Sequence, residues 1–266
     1  MMKDFNSQTL NAALVELPLG GIRFYQTVGS TNDQAITWAG QNAPDMSLVV
    51  ADEQSSGRGR NGRKWYSPAG ESLTFSLILR LGTAETRSLG LFSALGALAI
   101  VQAIHAMDGG LDPKIKWPND VLLMDQKVCG ILTETSWRGD VIESLVIGIG
   151  LNISKGSVPT TDAISFPATC LENHSYGKID RLDLLKRILI SVIDWRKRMD
   201  SVSFIETWQN LLAYQGEMVQ ILSENEQPKV GIITGLDLDG GLRLQEPNGK
   251  LFTSHFGEVH LKPICL

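Results

Sequence analysis

Cysteine is scarce in this chain. The three present, Cys129, Cys170 and Cys265, lie far apart and form no C-x-x-C pair. His105, His174, His255 and His260 stand at no ligand spacing to them. A disulfide framework and a metal site of the chain's own are therefore not expected. Long apolar runs are also missing. The longest, Leu89 to Met107, is interrupted by glycine, serine, glutamine and histidine and reads as a buried helix, not a membrane span. Lys3, Asp4 and Glu16 break up the first twenty residues, so no secretory leader is expected and the reading is cytoplasmic, with no membrane partner. Nor is there an excess of positive charge. A net charge of -5 and a pI near 5.4 argue against general affinity for a nucleic-acid backbone. Repeats and low-complexity tracts are lacking as well.

What remains is an ordinary globular composition, 43% hydrophobic and 20% charged over 266 residues. That length suits one large domain, or a medium and a small one. Against the acidic background, Gly57-Arg58-Gly59-Arg60-Asn61-Gly62-Arg63-Lys64-Trp65 stands out, with four cations and three glycines in nine residues. Glycine lets a backbone approach a ligand closely, and arginine offers a planar fork of donors to carboxylate or phosphate. A cradle for a small anion is one reading, and a solvated arginine-glycine loop is the other.

Strand and helix patterns place this loop. Short strands are expected at 21–26 and 47–52, with a helix from Thr31 to Ala39 between them. From Glu71 to Leu81 the chain alternates, with Leu73, Phe75, Leu77, Leu79 and Leu81 on one face and Thr74, Ser76 and Arg80 on the other. That pattern predicts a half-buried strand. Arg87 to Met107 should be a long helix whose Ala94, Gly96, Ala97 and Ala99 allow close packing on a sheet. Strands follow at 114–117, 127–135 and 142–152, and residues 153–180 read as irregular. Asp180 should cap an amphipathic helix with Leu182, Leu185, Leu189 and Val192 on one stripe. A second helix is expected from Phe204 to Tyr214. Five short β runs at 217–222, 229–236, 241–245, 250–255 and 258–262 then predict a small barrel. The class is α+β, a mixed or antiparallel sheet flanked by helices, followed by that barrel.

Three further clusters carry polar groups where packing alone does not ask for them. Ser30-Thr31-Asn32 opens the first helix. Thr31 with Gln34 matches a capping box, and the same groups suit the grip of a polar ligand head. Lys116-Trp117-Pro118-Asn119-Asp120 ends a strand in a turn, yet the turn does not explain a lysine there. A lysine so fixed can supply charge to a transition state, with Asp120 holding it or a Mg²⁺. In Ile147-Gly148-Ile149-Gly150-Leu151-Asn152 one strand face is bare, so a helix or a ligand ring must lie against it. Cys129, in Lys127-Val128-Cys129-Gly130, has no neighbouring base and reads as a buried strand thiol.

In this order the motifs resemble the biotin protein ligase family, that is, biotin–acetyl-CoA-carboxylase ligase. The likeness covers nearly all of the chain from Phe24. It rests on Ser30-Thr31-Asn32, Gln54 with Gly57 to Trp65, Lys116 to Asp120, Gly130-Ile131-Leu132 with Glu134, and Gly148 to Asn152. The resemblance implies a class II synthetase-like biotin/lipoate ligase catalytic domain over 1–215 and an SH3-like barrel over 216–266. It also implies two steps: biotin and MgATP give biotinyl-5′-AMP and pyrophosphate, and a lysine of a biotin carboxyl carrier domain then takes the biotinyl group and releases AMP. Biotin, ATP and Mg²⁺ enter as substrates, with no tightly bound prosthetic group.

Carried over by motif, Ser30, Thr31, Asn32, Gln54, Arg58, Gly59, Arg60, Lys116, Gly148 and Gly150 would bind biotin. Arg60, Arg63, Trp65, Asn119 and Asn152 would bind ATP or adenylate, and Lys116, Arg58 and Arg60 would be catalytic. Two departures stand out. Asn61 replaces an arginine common in the family, and the short stretch before the first strand implies a ligase without a repressor's DNA-binding domain. The resemblance also admits a homodimer. The rivals are a lipoate or octanoate ligase of the same fold, whose Arg-Arg…Gly-Gly-Gly and His-Asp motifs are missing here, and a non-enzymatic ligand-sensing regulator.

Overall fold

The computed structural model describes residues 5–159, 166–222 and 227–261. Along the chain run α1 (Ser7–Leu14), β1 (Gly21–Val28), α2 (Thr31–Gly40), β2 (Ser47–Gln54), β3 (Ser72–Leu79) and α3 (Leu91–Met107). Next come β4 (Lys114–Lys116), β5 (Asp120–Leu123), β6 (Gln126–Arg138), β7 (Val141–Asn152), α4 (Arg181–Arg196) and α5 (Val202–Asn210). The last strands are β8 (Met218–Leu222), β9 (Lys229–Leu236), β10 (Leu242–Gln245), β11 (Leu251–Ser254) and β12 (Glu258–Leu261).

The first seven strands form one mixed sheet in the order β1-β2-β3-β7-β6-β5-β4. Only β1 and β2 run parallel in it. Leu73, Phe75, Leu77 and Leu79 of β3 and Ile147, Ile149 and Leu151 of β7 point into the main core, where α3 and α4 pack. Gly96 makes that approach possible, because a Cβ there would already touch Ile131 and Ile147 at 3.4–3.5 Å. On the opposite face α2 covers Val49, Ile78 and Val146.

β3 differs from the half-buried strand expected of it. Ser72, Thr74 and Ser76 are as buried as the leucines. Their face is polar yet meets no open solvent: Ser76 bonds to Thr31 and Asn32, and Thr74 to the Ala51 carbonyl. Other boundaries shift for local reasons. Residues 85–87 form a separate 3-10 turn and α3 begins only after Gly90. α5 starts at Val202, two residues before its expected start, capped by Ser201, which accepts a hydrogen bond from Phe204 N at 3.3 Å. β5 was not anticipated, since Pro118-Asn119 turns straight into a hairpin with β4. Neither was α1, which Asn6 and Thr9 cap reciprocally with a threonine in place of the usual glutamate or glutamine. Asp180 does cap α4, accepting from Leu182 N and Asp183 N, and the whole leucine stripe is buried.

The irregular stretch contains 3-10 turns at Lys155–Ser157 and Leu171–Asn173, while its residues 160–165 lie outside the described residues. So do Lys262, within the last expected β run, and Cys265. β8 to β12 make an antiparallel sheet in the order β11-β10-β9-β8-β12. Among the described residues β11 and β12 remain its edges, so the pairing does not close the barrel expected there. This second sheet meets the first at Gly240, whose φ of +85° and 2.9 Å clearance from Trp208 and Leu91 leave no room for a side chain. The carbonyl of Gly240 accepts the Trp117 indole N–H at 3.0 Å. Trp117 is thus a core and inter-sheet residue.

Candidate functional site

A cavity of about 1050 Å³ lies on the polar face of the first sheet, between the ends of its strands and β12. All fourteen residues singled out from the sequence line it: Ser30, Thr31, Asn32, Gln54, Arg58, Gly59, Arg60, Arg63, Trp65, Lys116, Asn119, Gly148, Gly150 and Asn152. Successive inward positions of β7 contribute to its lining. Gly148, Gly150 and Asn152 share one face, and at ~3.3 Å per residue they span about 13 Å.

At the Gly148 end sits a closed polar network. Asn32 lies flat against Gly148 and donates its amide to Glu134 Oε2 at 2.7 Å and to the Leu132 carbonyl at 3.3 Å. Ser76 Oγ is 2.6 Å from Asn32 Oδ1 and 2.8 Å from Thr31 Oγ1. Gln54 Oε1 accepts from both Thr31 N at 2.7 Å and Thr31 Oγ1 at 3.1 Å. These bonds correct the capping-box reading. Ser30 is the N-cap and makes no side-chain cap, whereas Gln54 reaches over from β2 to satisfy the helix start. Gln34 accepts instead from Tyr25 Oη at 3.3 Å.

The basic loop is a hairpin. Arg58 and Lys64 form a bridge, Gly59 N donates to Arg63 O at 2.7 Å, and Trp65 N donates to Gly57 O at 2.9 Å. Its cations meet the protein's own acceptors. Arg58 forks onto Glu134 at 2.9 and 2.7 Å and contacts Asp33 at 2.7 Å. Arg60 donates to Asn119 Oδ1 at 3.0 Å, and Arg63 pairs with Glu258 of β12 at 2.6 Å. Burial lowers the Arg58 pKa, but the bonds and charges of Glu134 and Asp33 outweigh it, and the net shift is upward. Glu258 runs the other way: burial raises its carboxyl, yet Arg63, with Lys116 and Arg60 behind it, holds it below the ordinary range. At the tip Asn61 has φ +54° and ψ +41°, a left-handed conformation that asparagine tolerates better than most residues.

Trp65 closes the loop onto the floor. A Cβ on Gly150 would lie 2.3 Å from the indole and one on Gly130 3.1 Å, so the bare strand face is covered by this ring. Its Nε1 is buried with no hydrogen-bond partner among the described residues. Lys116, 5% exposed, has Asp120 Oδ2 at 3.8 Å and the Phe166 ring at 4.6 Å. Burial pushes its pKa down, Lys127 and Arg63 push the same way, and Asp120 and Glu258 only partly oppose them. Asp120 is shared with Lys127, 2.7 Å away.

Asn119 fixes the adjacent turn by donating to the Ile131 carbonyl at 2.9 Å while receiving Arg60. Asn152, buried at the cavity lining, donates to the Thr169 carbonyl at 3.0 Å. Cys129 is fully buried and its thiol pKa is driven far up by that burial, so it is no nucleophile. Sequence reasoning missed Ser76, Glu258, His260 and Phe166, and gave Glu134 no role. Only Ser76 left a trace, as a polar residue on an otherwise apolar strand. Among the described residues no cluster of three or more histidine, cysteine or acidic groups could hold a metal ion, and no helix is long and apolar enough to cross a membrane.

Residues 24–152 match the model of the biotin/lipoate A/B protein ligase family, and residues 214–262 match the biotin protein ligase C-terminal domain. A biotin–acetyl-CoA-carboxylase ligase of Paracoccus denitrificans is 32% identical over 231 residues, covering 83% of this chain and 92% of that protein. A bifunctional ligase/repressor of Bacillus spizizenii is 41% identical over 169 residues, which is 63% of this chain and 51% of that protein. The chain thus spans about half the length of this relative and of its Bacillus subtilis counterpart. Among solved structures, the biotin protein ligase of Aquifex aeolicus in complex with biotin and ATP superposes with a TM-score of 0.77 at 29% identity, covering 91% of this chain and 98% of that one.

Proposed function

The chain belongs to the biotin protein ligase family, and from that premise we propose that it activates biotin with ATP and passes the biotinyl group to a lysine of a biotin carboxyl carrier domain. The observation that carries this reading is the arrangement across the polar face of the sheet, from Gly148 and Gly150 of β7 to Lys116 of β4. A polar network anchored on the Glu134–Arg58 pair stands at Gly148, Gly130 and Gly150 lie beneath the Trp65 ring, and Lys116 lies farther across the sheet with Arg60 and Arg63 on the strap above, all in one cavity. That order suits a molecule with a polar ring head and a carboxylate tail that must meet a phosphate.

In this reading Ser30, Thr31, Asn32 and Gln54 hold the biotin head, and Gly148 and Gly150 admit its rings once Trp65 shifts. Arg58, Gly59 and Arg60 strap the chain of the ligand. Lys116 lies between its carboxylate and the α-phosphate, with Arg63 and Asn119 on the adenylate side. Two anions about 4 Å apart repel by roughly 4 kcal/mol in a partly screened site. Lys116 and the arginines offset that repulsion as the new bond forms, and fixed orientation of the reactants lowers the remaining barrier. Mg²⁺ arrives with the nucleotide as part of the substrate. We assign activation to residues 1–215 and treat 216–266 as the C-terminal domain, whose Glu258 reaches back to the strap. A lipoate ligase is disfavoured because the second match is to a biotin ligase domain.

The test is biotin-dependent exchange of pyrophosphate into ATP by the full chain. Exchange with biotin and none with lipoate is expected. Exchange with lipoate alone, or with neither acid, would refute the reading.

A further inference from the structure

Residues 166–174 follow the floor strands, and no family motif reaches them. Two of them, Phe166 and Ala168, nevertheless line the cavity together with Lys116 and Asn152. Every polar atom of the buried Thr169 is engaged there. Its N–H donates to the Lys127 carbonyl at 2.9 Å, and its carbonyl accepts from Asn152 Nδ2 at 3.0 Å. Its hydroxyl meets His174 Nε2 at 2.8 Å. Lys127 N in turn donates to the Pro167 carbonyl at 2.7 Å, which docks the segment onto the start of β6. This seats Phe166 over the Lys116 ammonium.

His174 is itself well anchored. It closes the 3-10 turn Leu171–Asn173 through a bond from its N–H to Leu171 O at 2.9 Å. Leu171 is fully buried, and Glu172 N donates to Ile153 O at 2.9 Å. The turn is therefore fixed to the end of β7, and His174 transmits that fixity to Thr169.

We propose that Thr169 and His174 are positioning residues for the nucleotide half of the cavity. Resting on the biotin-activation reading, the proposal is that the bond between them holds Phe166 to Thr169 as the wall against which ATP is bound. The biotin network at Asn32 lies at the other end of β7 and should not register their loss. His174 touches no substrate and acts through the segment alone.

The experiment compares the full chain with His174→Phe, Thr169→Val and His174→Gln. Pyrophosphate exchange gives KM and kcat, calorimetry gives ATP and biotin binding separately, and hydrogen exchange reports the amides of 166–169. The two disruptive variants should weaken ATP binding about tenfold, the ratio expected for one lost hydrogen bond of about 1.4 kcal/mol. Biotin binding should stay within about twofold, below the effect of a typical hydrogen bond. Protection at 166–169 should fall, and His174→Gln, whose amide still meets the hydroxyl, should recover ATP binding. Unchanged ATP binding in a folded variant overturns the proposal, as do parallel losses for ATP and biotin. If the unmodified chain performs no exchange, the functional reading fails first. ATP calorimetry and hydrogen exchange then still decide, and either absence of ATP binding or unchanged protection overturns the positioning role.

Discussion

At Gly148 one added carbon decides whether Asn32 keeps its place, because a Cβ there would lie 2.0 Å from Asn32 Oδ1. Gly148→Ala should push Asn32 off Ser76 and Glu134 while the sheet stays folded. Losing two such bonds at about 1 kcal/mol each predicts roughly 30-fold weaker biotin binding. Calorimetry with wild-type affinity would contradict it. Lys116 carries a second prediction. Its pKa is lowered, so the ammonium deprotonates at a lower pH than an ordinary lysine. If activation needs the cation, the rate falls as pH rises through that lowered value, and the alkaline limb begins below the usual lysine range. A pH profile of pyrophosphate exchange that stays flat up to the ordinary lysine range would exclude the role.

The strap shows, at the scale of an element, what local sequence conveys and what it does not. Its hairpin pairing appears only in the structure, while its glycines and arginines mark a local basic loop within nine residues, open to the reading of an anion cradle or of a solvated loop. Its charge balance is invisible there, since Arg58 meets Glu134 76 positions away and Arg63 meets Glu258 195 positions away. Cations that would repel one another in isolation are thereby tied down by acids from β6 and β12. β3 makes the converse point: alternation reveals the strand, but not that its polar face is buried, with Ser76 bonded to Thr31 and Asn32. Asn61, odd as a family departure, is ordinary as backbone. At φ +54° a β-branched residue is strained by about 1–2 kcal/mol, so Asn61→Val should loosen the strap and Asn61→Gly should not. Trypsin sensitivity at Arg58 to Lys64 reports this. Equal cleavage of both variants would show that the left-handed tip does not matter.

Across the whole molecule the two sheets act on one cavity. The second contributes Glu258 to the strap and the Gly240 carbonyl to Trp117, which lies next to Lys116. Trp117→Phe keeps the ring in the core but strands that carbonyl. A loss of about 1 kcal/mol would lower Tm by ~2–4 °C. Calorimetric melting measures it, and an unchanged Tm would mean that this bond contributes nothing to the join.

The central claim, biotin activation followed by transfer, is tested most directly by intact mass of a carrier domain incubated with the full chain, biotin and MgATP. The account predicts a gain of one biotinyl group on the carrier lysine, dependent on ATP and lost in Lys116→Ala. A carrier whose mass is unchanged with biotin, or that gains a lipoyl group in its place, would contradict it.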